Sequence, residues 1–267
     1  MRSTAREEAV ADLRRHGCCV LQNIIPPSEV SVVCASVAAT VREHTSLPLP
    51  NGYVTGLLRL DQTIAPYLTE PRIMAVCDQL LGDHFKISML TGVINGLGIA
   101  RGPMHADWPF NQNLQSRIRA PYDDVNRIVN LVTMWMLTDY TPENGGTLYV
   151  PGSHQRGRSP AKGSEPEPMA EYEDAIHLVG QAGDVGVFDA RTWHAIAPNI
   201  SSADRVAVIV RFAPWWINLN PLRPGHVERN RIVEEKGGND SQVETISPAI
   251  FDTLPPALQD LVYHMVE

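Results

Sequence analysis

Long apolar runs are missing from this chain. Nowhere do roughly 18 apolar residues follow one another, the length a membrane-spanning helix needs. Basic residues are also in deficit: Lys and Arg number 22 against 30 Asp and Glu, a formal net charge of −8. That balance argues against a nucleic-acid or anionic-membrane partner and leaves a small molecule as the expected one. Cysteine is scarce. The four residues Cys18, Cys19, Cys34 and Cys77 contain no CxxC pair, so neither a zinc knuckle nor a disulfide framework is expected. They read as free thiols in a reducing compartment. The first residues, MRSTAREEAVADLRRHG, are charged and amphipathic without an apolar core. They do not read as a secretory signal, so a cytoplasmic location is expected. Internal repeats and low-complexity segments are absent too, which excludes solenoids and fibres.

What is present is ordinary for a folded protein: 43% hydrophobic and 19% charged residues in a chain of 267. That length suits one large β-sandwich or barrel, and residues 1–267 are expected to form a single domain. Residues 5–16 place Ala9, Val10 and Leu13 on one helical face, Gly17 ends the helix, and CCVLQNII reads as a short strand. Pro26-Pro27-Ser28-Glu29 opens a second helix, with Ser28 or Glu29 expected to serve its free amides. Residues 71–82 read as a third helix ended by Gly82. From about residue 85 the texture changes to short β-branched or aromatic runs punctuated by Gly, Pro, Asn and Asp, the pattern of a sandwich or barrel. The expected layout is therefore α+β: a mostly helical layer over 1–84, a β core over 85–216, and a C-terminal loop and helix over 217–267. Residues 109–127 and 155–175 are the two polar insertions long enough to be functional loops.

Residues 102–112 read GPMHADWPFNQ. Two residues apart on a strand point to the same side, so His105 and Asp107 would present an imidazole and a carboxylate together. A metal needs a third ligand. Of the nine histidines, His16, His44 and His264 fall on helices or their ends and are expected to face solvent. His84 follows a helix-ending glycine, and His226 lies in a late loop. His154, in the turn VPGSH, stays open as a ligand. His194, in DVGVFDARTWHAIAPN, is expected at a strand edge facing a cavity. Two histidines and one carboxylate on one face of an octahedron form the set used by non-haem Fe(II) oxygenases. Arg205, eleven residues beyond His194, could anchor the far carboxylate of a co-substrate. Taken singly these are a polar pair, a rim histidine and a surface arginine. Their order and spacing favour the metal site.

Several segments resemble the phytanoyl-CoA dioxygenase (PhyH-type) family of iron- and 2-oxoglutarate-dependent oxygenases. GCCVLQNIIPPSEVSVVCASV resembles the family's first strand and helix, and GPMHADWPF its HxD segment. MWMLTDYTPENGGTLYVPGSH resembles the central hairpin, and GDVGVFDARTWHAIAPNIS with RVAVIVRFAP the distal histidine and arginine strands. The segments run from about residue 5 to 216 in the family's order. The resemblance implies a double-stranded β-helix, a squashed jelly roll of the cupin kind, with Fe(II) held by His105, Asp107 and His194. It implies that Arg205 and the Thr147 hydroxyl hold 2-oxoglutarate, that Trp193 walls that pocket, and that His154 is a turn residue. It implies hydroxylation of a substrate C–H with dioxygen, with release of succinate and carbon dioxide, and a benefit from ascorbate in vitro. Ile196 stands where some relatives carry a hydroxyl contact to 2-oxoglutarate, which puts more weight on Thr147 and Arg205. Halogenating relatives lack the carboxylate that Asp107 supplies, so halogenation is not expected.

For the substrate, Trp108, Phe110, Asn113 and Arg117 follow the metal pair, and Trp216 follows the last core strand. They are expected to form an apolar pocket with a few polar handles. The expected substrate is a natural-product intermediate. An amino-acid-like metabolite or an acyl-CoA are the alternatives, although only RGRSPAKG offers a basic patch for phosphates. Desaturation, epoxidation or ring formation are alternative outcomes of the same chemistry. A cupin-like protein holding Zn or Mn, or a catalytically silent binding protein, are the rival classes. The protein is expected to be a monomer or homodimer.

Overall fold

The computed structural model describes residues 3–107, 110, 127–160, 165–220, 223, 225–231 and 245–267. Its centre is a six-stranded antiparallel sheet in the order β1-β7-β4-β9-β3-β2, faced by a three-stranded sheet in the order β6-β5-β8. The large sheet comprises β1 (Cys18–Leu21), β2 (Asn51–Thr55), β3 (Lys86–Asn95), β4 (Leu131–Met136), β7 (Val185–Asp189) and β9 (Arg205–Ala213). The small one comprises β5 (Thr147–Tyr149), β6 (Ile176–His177) and β8 (His194–Ile196). Two facing antiparallel sheets of this kind are the expected double-stranded β-helix.

Both faces of the large sheet are covered, so its strands lack a polar side. On β9, Val206, Val208, Val210 and Phe212 point outward into the helical layer, while Ala207 and Ile209 point into the space between the sheets. On β4 the same parity sends Leu131 and Trp135 outward and Val132, Met134 and Met136 inward. Two-sided burial explains why these strands read as near-continuous apolar runs rather than an alternation.

The outer layer is built by α1 (Ser3–His16), α2 (Val30–His44), α3 (Pro71–Leu81) and, near the C-terminus, α6 (Pro256–Val262), which follows the short α4 (Val227–Asn230) and α5 (Pro248–Phe251). Helix α2 buries Val30, Val33, Val37, Ala38 and Val41, a stripe at helical spacing laid across β2 and β3. Helix α3 begins at Pro71, with the Glu70 carboxylate accepting from the Arg72 amide. The caps proposed for α2 are not made: its first residue follows Glu29, whose side chain caps nothing and accepts instead from the Tyr67 hydroxyl.

Residues 1–84 are less purely helical than expected. Besides β1, they contribute β2, which pairs with β3 from Asn51↔Asn95 to Thr55↔Thr91. NGYVT is too short and too glycine-rich to announce itself; pairing with a ten-residue neighbour makes it a strand. A second correction concerns His264. It is half-buried rather than solvent-facing, and enclosure beside Lys86 and Arg223 pushes its pKa down to about 4.

One glycine is required by its surroundings. Gly183 has φ +99°, and its carbonyl accepts from the amides of Ile24 and Ile25. A Cβ there would lie 2.4 Å from the Ile25 carbonyl oxygen. Gly183→Ala is expected to cost more than about 1 kcal/mol, read as a fall in Tm of at least about 2 °C. His264 gives a pH prediction. Its folded pKa lies below the unfolded value of 6.5, so the unfolded chain takes up the proton first. Its contribution is complete above about pH 6.5 and is lost as pH falls towards 4. Across that window the Tm of His264→Gln should fall less steeply than that of the parent protein.

Candidate metal centre and cofactor pocket

The turn between β7 and β8 carries His194 and is clamped from several sides. Asp189 and Arg191 form a fully buried ion pair at 2.6 Å, and the Asp189 carboxylate also accepts from the Arg191 amide at 2.9 Å. The Thr192 hydroxyl donates to the Gly17 carbonyl, and the Asp189 amide donates to the same oxygen. Gly17, at φ +79°, must lack a side chain because a Cβ would meet the Thr192 hydroxyl at 2.2 Å. The end of α1 is thereby docked against the segment that presents His194.

Backbone hydrogen bonds then bring the HxD segment alongside. The His105 amide donates to the His194 carbonyl at 3.0 Å, the His194 amide donates back at 2.8 Å, and the Asp107 amide donates to Ala190 at 2.7 Å. Strand parity puts the side chains of His105, Asp107 and His194 in one place. One donor atom from each lies within 4.8 Å of the other two. Nδ1 of His105 is 2.9 Å from the Pro103 carbonyl, and Nδ1 of His194 is 2.9 Å from that of Thr192. Those carbonyls can only accept, so each Nδ1 is assigned the proton and each Nε2 keeps its lone pair for a ligand role.

The charge environment keeps the carboxylate ionised and the first imidazole neutral. Burial pushes the Asp107 carboxyl upward, but the Arg211 guanidinium and the two imidazoles outweigh it and hold the group below its ordinary value. Burial, then the neighbouring His194, lowers His105 to about 4. Two imidazoles and a carboxylate whose donor atoms converge in one place fit a divalent metal of the iron type.

A cavity of about 160 Å³ opens beside these residues. Arg205, buried at the start of β9, closes its far end: Nε donates to the Gly145 carbonyl and Nη1 to the Tyr140 hydroxyl. Nη2 makes no hydrogen bond among the described residues, so a guanidinium edge is left for a carboxylate. Burial raises the Tyr140 pKa against the opposing pull of Arg205. Thr147 and Ile196, paired across β5 and β8, also line the space, and the Thr147 hydroxyl lies 3.2 Å from the Met134 sulfur. This end fits a dicarboxylate.

The remaining expectations divide. Trp193 does not line the cavity. Adjacent strand residues face opposite sides, so beside an inward His194 it packs against Tyr172 while its indole N–H donates to the Arg158 carbonyl. His154 is a buried turn residue with Nε2 3.1 Å from the Arg14 carbonyl, away from the metal centre. Phe110 packs in the inner core with Met104 and Ala106, beneath Arg191. Trp216 is exposed and outside the cavity lining. Trp108, Asn113 and Arg117 lie outside the described residues. Sequence reasoning missed Asn51 and Tyr53 of β2 and Met89 and Val93 of β3, which form the opposite wall. Arg211, which the sequence places on a core strand, reaches Asp107, a contact the sequence did not announce. The sequence alone carried no signal for the β2 wall, because NGYVT becomes a strand only by pairing with β3.

The model of the family described as phytanoyl-CoA dioxygenase (PhyH) matches residues 13–207. The chain belongs to that family. Among curated proteins it is similar to dioxygenase af480 of Aspergillus fumigatus, 28% identical over 218 residues, covering 77% of this chain and 66% of that protein. The chain spans about half to two thirds of the length of the first curated relatives it matches. Among solved structures it resembles the epimerase SnoN in complex with Fe3+, alpha-ketoglutarate and nogalamycin RO. The TM-score is 0.63 at 21% identity, covering 79% of this chain and 84% of that one. HygX of Streptomyces hygroscopicus, with nickel and 2-oxoglutarate bound, also gives 0.63, at 15% identity over 79% and 88% of the two chains. These likenesses show the fold to be the cupin-like double-stranded β-helix.

His105→Ala is expected to weaken Mn(II) binding, measured by titration calorimetry, by at least about tenfold while leaving Tm within a few degrees; Asp107→Ala should weaken it as much and also lower Tm, because it leaves Arg211 without its buried carboxylate partner.

Proposed function

We propose that this chain is a non-haem Fe(II)- and 2-oxoglutarate-dependent dioxygenase that oxidises a small-molecule metabolite, hydroxylation of an unactivated C–H being the expected outcome. The observation that carries the reading is one cavity with a metal-competent His105, Asp107 and His194 at one end and a half-satisfied buried Arg205 at the other. His105, Asp107 and His194 would hold the iron. Arg205 would pair with the far carboxylate of 2-oxoglutarate, joined by the Thr147 hydroxyl released from Met134. Ile196 offers no hydrogen bond there, so the carboxylate depends on those two groups. Iron bound at this site, with 2-oxoglutarate and dioxygen, would supply the oxidant for substrate C–H cleavage, with succinate and carbon dioxide as co-products.

The chain's own residues bind, orient and keep the site dry. The Nδ1–H donors held by Pro103 and Thr192 fix the imidazole planes, so the donor set is arranged before a metal arrives. Met89, Val93, Met134 and Ile209 surround the space with apolar surface, which excludes water from the reacting region. Asn51 and Tyr53 put an amide and a phenol on the β2 wall, and neither side chain hydrogen-bonds to a described residue. They are the polar handles that a compact, mostly apolar substrate would meet. The SnoN structure holds nogalamycin RO, which supports a natural-product intermediate as the substrate class.

Incubation with Fe(II), ascorbate and 2-oxoglutarate should release succinate slowly even without substrate. Its absence with iron demonstrably bound would count against the reading. Arg205→Ala should raise the 2-oxoglutarate KM for that reaction on the order of 10²-fold, the scale of losing one partner of a buried charge pair, while Mn(II) affinity stays near that of the parent.

A further inference from the structure

The three proposed ligands are not held alike. The two imidazoles are fixed locally, each by a carbonyl two residues before it in the chain. The Asp107 carboxylate is fixed from a distance: its Oδ1 accepts from Nη2 of Arg211, 104 residues on, while Oδ2 lies 3.5 Å from Nε2 of His194. Arg211 lies on the inward face of β9, where its register partners are Met89 on β3 and Val132 on β4. The guanidinium is thus enclosed by sheet, and it reaches the carboxylate at the edge of the cavity.

We infer that Arg211 is a positioning residue that restricts Asp107 to one-oxygen metal coordination. This rests on the proposed metal site but not on the oxygenase chemistry. A free aspartate carboxylate can chelate a metal through both oxygens, taking two neighbouring coordination positions. Here Oδ1 is occupied by a charge-assisted hydrogen bond from a planar, always-charged donor, one of the strong kinds. Oδ2, 3.5 Å from Nε2 of His194, is the oxygen left for a metal, so the carboxylate would take one position and leave the neighbouring one open. The guanidinium also fixes the carboxylate plane, which the short, freely rotating aspartate side chain would not do alone. Lysine would keep the charge but present it as a point rather than as an oriented N–H, so it should hold the carboxylate less well.

Arg211→Gln and Arg211→Lys, checked for folding by circular dichroism and thermal unfolding, are titrated with Mn(II). The Gln variant should bind Mn(II) about 10–100-fold more weakly than the parent, the usual cost of losing a residue that orients a ligand, with Lys recovering part of the loss. A crystal of the parent protein grown anaerobically with Mn(II) should show one Asp107 oxygen on the metal and the other on Arg211. The inference is overturned if a folded Gln variant binds Mn(II) as tightly as the parent, or if both Asp107 oxygens contact the metal. Should the Gln variant fail to fold, the parent crystal and the Lys titration decide in the same way. If Mn(II) affinity depends on Arg211 while no succinate is formed under any condition, the dioxygenase reading fails and this inference stands.

Discussion

The site depends on one pair of backbone hydrogen bonds, those exchanged between His105 and His194. This antiparallel bridge joins segments 89 positions apart and sets their register. A slip of one residue would turn both imidazoles and Asp107 to the opposite face, because side chains alternate along a strand. The register is protected on both sides. Asp107 donates to Ala190 beyond the bridge, and the buried Asp189–Arg191 pair stiffens the turn behind it. Breaking a buried pair of that kind costs about 3–5 kcal/mol, so the clamp is strong relative to the stability of a whole domain.

Strand β9 then connects packing to chemistry. Its outward valines and Phe212 are core under the helices, and its inward positions are set once that packing is set. Arg205 and Arg211 are therefore delivered to the cavity by the hydrophobic effect acting on their neighbours. Each buried guanidinium finds partners: Gly145 and Tyr140 for the first, Asp107 for the second. A buried charge without such partners would cost several kcal/mol.

Much of this was legible in the sequence, for identifiable reasons. HxD on an extended segment puts the His105 and Asp107 side chains on one side, and the offset from His194 to Arg205 spans one turn and one strand start. The β core was visible through its turn residues. Other features were hidden because they are settled by tertiary contact. NGYVT becomes a strand only against β3. Parity alone turns Trp193 away from the cavity, so adjacency in sequence to a ligand was a poor guide. Arg211 looks like any strand arginine until the distant HxD segment reaches it. His264 sits on a short C-terminal turn whose enclosure depends on Lys86 and Arg223, which lie far from it in sequence.

Arg205 and Arg211 share one strand, and this makes β9 a gauge of length. They lie six positions apart, about 20 Å of extended backbone at ~3.3 Å per residue. A strand hydrogen-bonded on both edges neither stretches nor shortens. The separation between the two backbone positions that carry buried guanidinium groups is thus a fixed property of the scaffold. Any change in that spacing would require β9 to slip against both β3 and β4, which would turn Arg205 and Arg211 out of the cavity together. The two charges therefore keep or lose their places as a pair, through the rigidity of a β-strand.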